Sequence, residues 1–155
     1  MGLDMYLTAK RYLWNGEDDA IGQKIGEAIG IKGDPESRFR GCSLMVKGIE
    51  LEAMYWRKAN AIHGWFVENV QDGEDDCREY EVDREQLENL RDLCADILAH
   101  PDAERDSDLD PTEGFFFGSQ EKDEFYYDDL RITVEGLTKA LELPKNYYFI
   151  YRSSW

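Results

Sequence analysis

The run Tyr55-Trp56-Arg57-Lys58-Ala59-Asn60-Ala61-Ile62-His63-Gly64-Trp65-Phe66 holds two tryptophans, two cations, an amide and one of the chain's two histidines. An apolar core does not need that mixture. An aromatic face can stack a base, an amide can read its edge, and neighbouring cations can hold phosphate. In helical register Tyr55, Ala59, Ile62, Phe66 and Val70 form a buried stripe, and Trp56, Asn60, His63 and Val67 line its flank. The spacing therefore predicts one helix that carries Trp56, Asn60 and His63 along a concavity, beside Arg57 and Lys58. Such a site suits a small anionic, nucleotide-like ligand. The competing reading packs all three side chains against the next element, with the histidine satisfied by a carbonyl.

Three other places carry chemistry-bearing residues. Gly114-Phe115-Phe116-Phe117-Gly118-Ser119 sets large rings between two permissive backbones. Phe116 is expected to cover a pocket or a contact, and Ser119, ahead of a helix, to offer an amide to an anion. Arg152-Ser153-Ser154-Trp155 ends the chain on a cation and a ring, which either dock into the core or meet a partner; Arg152 joins the candidate ligand residues. Asp106, Asp108 and Asp110 alternate as in a calcium loop, but Pro111 stands where glycine is needed and Phe117 where the bidentate glutamate belongs. A solvated acidic loop fits better, and the three aspartates become candidate partner-binding residues.

Catalysis has no signature. His63 and His100 are the chain's two histidines, and neither G-x-S-x-G nor a P-loop occurs. Cys42, Cys77 and Cys94 lack the C-x-x-C and histidine pairing of a zinc site. No enzyme activity, metal or cofactor is expected.

These residues must be positioned by alternating strands and helices. Residues 3–14 read as a strand closed by Asn15-Gly16. Residues 17–29 read as a helix weakened by Gly22 and Gly26, and residues 30–41 as a loop. A second strand is expected over 43–53, the Trp/His helix over 55–70, and a short strand over 77–82. Asp83 and Gln86 form a capping box ahead of a helix with Leu87, Leu90, Cys94 and Ile97 as its stripe. A long helix over 121–142 buries Leu130, Val134, Leu137 and Leu141, and residues 147–151 form the last strand. The order β, α, β, α, β, α, α, β predicts an α+β fold, a small sheet of about four strands packed against three to four helices, in one globular domain over 1–155.

The chain has 155 residues, 42% of them hydrophobic and 13% aromatic, which is a globular composition. No run approaches the roughly 20 apolar residues that span a bilayer, and no signal segment opens the chain, so a cytoplasmic protein without membrane contact is expected. The net charge of −16 opposes direct nucleic-acid binding. Residues 1–70 carry only −1 of it, with the remaining −15 in residues 71–155. The 20 aromatic residues are many for one small core, which predicts a homodimer through aromatic surface.

Met1-Gly2-Leu3-Asp4-Met5-Tyr6-Leu7, Tyr55 through Phe66, Gly114 through Ser119, and Ser153-Ser154-Trp155 together resemble a family of small proteins encoded by bacteriophages and prophages. The resemblance covers most of the chain and implies a phage accessory protein acting in an infected bacterial host, where antagonism of host defence is a common role. It implies no activity and no catalytic residues. Two functions are therefore in view: capture of a small anionic, nucleotide-derived ligand that blunts a host signalling defence, or acidic, DNA-mimic-like inhibition of a basic host defence nuclease or DNA-binding complex. The second would use residues 72–129, where 22 acids face 5 Lys and Arg.

Overall fold

The computed structural model describes residues 2–14, 17–31, 44–101, 109–112 and 121–155. Eight elements follow in the order β1 (Asp4–Tyr12), α1 (Glu17–Ala28), β2 (Gly48–Arg57), α2 (Asn60–Asn69), β3 (Tyr80–Val82), α3 (Arg84–Ala99), α4 (Glu124–Leu141) and β4 (Tyr148–Ser154). The strands form one four-stranded antiparallel sheet in the order β2-β1-β4-β3, so the expected α+β architecture is present. The chain divides into two compact units, Lys10–Glu50 and the remainder, and the division falls within β1 and within β2.

The larger unit holds α2, α3, α4 and most of the sheet. Strand alternation separates the two sheet faces. On β1, Met5, Leu7 and Ala9 are fully buried, while Asp4, Tyr6 and Thr8 are only partly covered. On β4, Phe149, Tyr151 and Ser153 point inward and Tyr148, Ile150, Arg152 and Ser154 lie on the other face. β3 continues this register, pairing Tyr80 with Tyr151 and Val82 with Phe149.

The inward face meets the helical stripes in a single core containing Met5, Leu7, Ile62, Phe66, Leu87, Leu90, Leu130 and Leu137. Phe66 stacks on Tyr151 with ring centroids 3.8 Å apart. α4 approaches β2 closely enough that a Cβ at Gly136 would clash with Met54 Sδ. α3 starts as predicted, with the Asp83 amide donating to Gln86 Oε1 at 2.9 Å. Arg84 then donates to the carbonyls of Leu141, Leu143 and Pro144, satisfying acceptors that the end of α4 leaves open.

The smaller unit is built around α1. Its first turn carries Glu17, Asp18 and Asp19, which complement the helix dipole. Gly22 and Gly26 do not shorten the helix; both are buried, and a Cβ at Gly22 would stand 3.3 Å from the Val46 carbonyl. Asp18 accepts from the Trp14 amide and from Arg11, which in that order hold its carboxyl below the usual carboxylate range.

One prediction is overturned outright. The helix expected to begin at Tyr55 begins at Asn60, and β2 runs on through Arg57. Met54 and Trp56 are buried while Tyr55 and Arg57 are exposed, a period of two rather than 3.6. Lys58, with φ 60°, ends the strand in the left-handed region, and its amide donates to the Leu3 carbonyl at 2.8 Å. β3 is shorter than expected, and β4 extends through Ser154.

Candidate functional site

Trp56, Asn60 and His63 therefore do not share a helix. All three are buried, at 2%, 5% and 1% exposure. Trp56, on β2, donates from Nε1 to Thr133 Oγ1 at 2.8 Å and meets Phe66 edge-on. His63, on α2, lies 2.7 Å through Nδ1 from the Tyr151 hydroxyl and 3.0 Å through Nε2 from Asp75 Oδ1. A carboxylate only accepts, so the neutral ring donates from Nε2 to Asp75 and accepts at Nδ1 from Tyr151. Burial pushes the His63 pKa down, with the Asp75 charge opposing it. It also pushes the Tyr151 hydroxyl pKa up. This chain ties α2 to β4 through the core, and neither Trp56 nor His63 presents a ligand surface.

Asn60 and Lys58 instead line an open cleft with Pro111, Glu121, Asp123, Phe125 and Asp129, whose empty volume is about 360 Å³ counting the part open to solvent. Burial, with help from Asp128 and Asp123, pushes the Asp129 carboxyl up to about 6. Three carboxylates against one lysine make this cleft a poor host for phosphate. Asp110, nearby in sequence, is exposed and ion-paired with Lys122 at 2.6 Å. Asp106, Asp108, Phe116 and Ser119 lie outside the described residues.

Arg57 and Arg152 lie elsewhere, on two strands flanking β1, on the sheet face opposite α2, α3 and α4. Arg152 lies over the Tyr6 ring, 5.8 Å from its centroid. Tyr6 and Tyr55 sit side by side on β1 and β2 with centroids 5.4 Å apart and planes tilted by 45°. Tyr55 donates its hydroxyl to Asp4 Oδ1 at 2.5 Å, and Arg57 Nε is 4.0 Å from the same oxygen. That acceptor raises the Tyr55 pKa. Arg57, at 67% side-chain exposure, Tyr55, at 42%, and Arg152 are accessible, while Tyr6 and Asp4 are half-buried. Two guanidinium groups and two rings thus share one face of a chain whose net charge is −16.

Tyr6 and Tyr55 are site residues that sequence reasoning misses. The signal for Tyr6 lies in β1, where Tyr6 and Thr8 alternate with Met5, Leu7 and Ala9, which assigns Tyr6 to the face opposite the core.

Other chemistry is sparse. No cluster of three or more metal-ligating side chains occurs among the described residues. Burial pushes the Cys94 thiol up to about 12, which leaves it protonated and inert. No helix among them is long and apolar enough to cross a membrane. No protein-family model, curated protein or solved structure matches the chain.

Proposed function

We propose that the outer sheet face is a platform that captures a small anionic, nucleotide-derived ligand, and that the chain works as a phage accessory protein that blunts a host signalling defence by sequestering it. The observation that carries this reading is that Arg152 lies over Tyr6, Tyr6 lies beside Tyr55, and Arg57 stands next to the Asp4 that Tyr55 bonds, all on one sheet face. A guanidinium recognises phosphate through paired N–H donors, and an exposed tyrosine ring stacks a base at about 1–3 kcal/mol. The negative charge elsewhere disfavours a long polyanion, so a mono- or dinucleotide suits this face better than a nucleic-acid strand. The phage context rests on the sequence resemblance.

A thermal-shift screen against nucleotides and cyclic nucleotides tests the reading. A ligand that binds only the folded state raises its stability by about 2.7 kcal/mol at a hundredfold excess over Kd. A screen in which no nucleotide moves the transition would remove the proposal.

One observation favours the acidic-inhibitor alternative. Glu85, Glu88 and Asp92 are exposed along one face of α3 at spacings of three and four residues, which sets carboxylates about one turn apart. A basic defence protein engaged there would be held by long-range attraction, so inhibition would fade with rising salt. Ligand capture is preferred because it uses a defined constellation rather than the generic charge of a solvated helix.

A further inference from the structure

Within the platform, Asp4 is placed as a rival to any ligand. Its Oδ1 receives the Tyr55 hydroxyl at 2.5 Å and stands 4.0 Å from Arg57 Nε, so a carboxylate already occupies the Arg57 side of the cluster. Among the described residues Arg152 has no such counter-ion; its recorded contact is the Tyr6 ring. The two arginines are therefore unequal.

Resting on the ligand-capture reading, we propose that Asp4 is a built-in competitor: its fixed charge stands beside Arg57 and opposes an incoming phosphate there, which sets how tightly the platform holds an anion. Two consequences separate this from a structural role. A fixed negative charge beside the ligand repels it in proportion to the ligand's own charge, so removing that charge helps a polyanion more than a monoanion and leaves a neutral nucleoside unaffected. A packing defect would shift all of them alike. Arg152, facing the ring, supplies the first hold on the phosphate, and Asp4 opposes the second at Arg57.

The test is Asp4→Asn, which removes the charge and keeps an oxygen to accept from Tyr55. Affinities of adenosine, cyclic AMP and ADP are measured for the parent chain, for D4N and for R57A by isothermal titration calorimetry at one ionic strength. The competitor predicts that D4N tightens binding by about two- to threefold per ligand charge, the scale of an exposed ion pair. Adenosine should be unmoved, cyclic AMP should gain least and ADP most. In the R57A background the gain from D4N should shrink, because the arginine Asp4 competes for is gone. Arginine-dependent nucleotide binding that D4N leaves unchanged, or changes equally for all three compounds, overturns the competitor and leaves the platform standing. Binding of none of the three by either the parent chain or D4N overturns both.

Discussion

His63→Ala separates a packed core histidine from a ligand-contacting one. The ring is 1% exposed and bonded on both nitrogens, to Tyr151 at 2.7 Å and to Asp75 at 3.0 Å. Deleting a buried ring leaves a void that costs about 2–4 kcal/mol by the scale of large-to-small core substitutions. Tyr151 is fully buried, so its hydroxyl loses its acceptor, which adds about 1–3 kcal/mol. The expected loss is on the order of 4 kcal/mol, a large share of the 5–15 kcal/mol that holds an ordinary domain together. Urea denaturation reads it directly. Tyr151→Phe alone should cost about 1 kcal/mol, but in the H63A background it should cost nothing or stabilise, because it removes a hydroxyl that no longer has an acceptor. An H63A variant within about 1 kcal/mol of the parent, or a strictly additive cycle with Y151F, would refute the tie. H63A should also leave nucleotide binding intact wherever the protein remains folded.

Titration gives a second expectation. The depressed His63 pKa means that the unfolded chain takes up a proton near pH 6.5 that the folded chain refuses, so stability is complete above that value and falls as pH drops below it. Asp129 acts oppositely: with its pKa raised from 3.8 to about 6, the folded chain holds the extra proton, and stability falls as pH rises through that window. Asp129→Asn should therefore stabilise the protein at pH 7 by on the order of 1 kcal/mol, after allowance for solvent screening, and do little at pH 3.5; a variant destabilised at pH 7 would contradict the assignment. Gly136→Ala should cost about 1 kcal/mol by urea denaturation, because its Cβ would clash with the flexible but buried end of Met54, and Met54→Ala in the same chain should recover part of that cost. Self-association is expected from the exposed rings, among them Trp14 at 73% and Phe125 at 77%; light scattering at micromolar concentration should give twice 18.1 kDa, and a mass that stays at 18.1 kDa on concentration would oppose the dimer.

Local signals were legible and long-range ones were not. The Asp83–Gln86 box marked the start of α3, and the spacing of Leu130 and Leu137 marked the inner stripe of α4, because each depends on residues within a few turns. Tyr55-Trp56-Arg57 was misread because aromatic and long side chains fit either period. The strand ends at Lys58 in a positive-φ conformation that glycine usually signals and lysine does not. Gly22 and Gly26 read as weakness by helix propensity, whereas α1 uses them for close packing near Val46. His63 and Tyr151 stand 88 residues apart, so nothing local announces their bond. Arg57 and Arg152 were singled out by type, but their meeting on one face depends on β1 lying between β2 and β4, and strand order was not readable.

Binding of an anionic nucleotide at the Arg57–Arg152–Tyr6–Tyr55 face is read out by calorimetric titration of ADP and cyclic nucleotides into the parent chain and into the R57A/R152A double variant. Both arginines lie on the accessible face, so the double variant should keep its melting temperature within a few degrees while losing binding at least tenfold. Equal affinity in the two proteins, or no nucleotide binding by the parent chain, would contradict it.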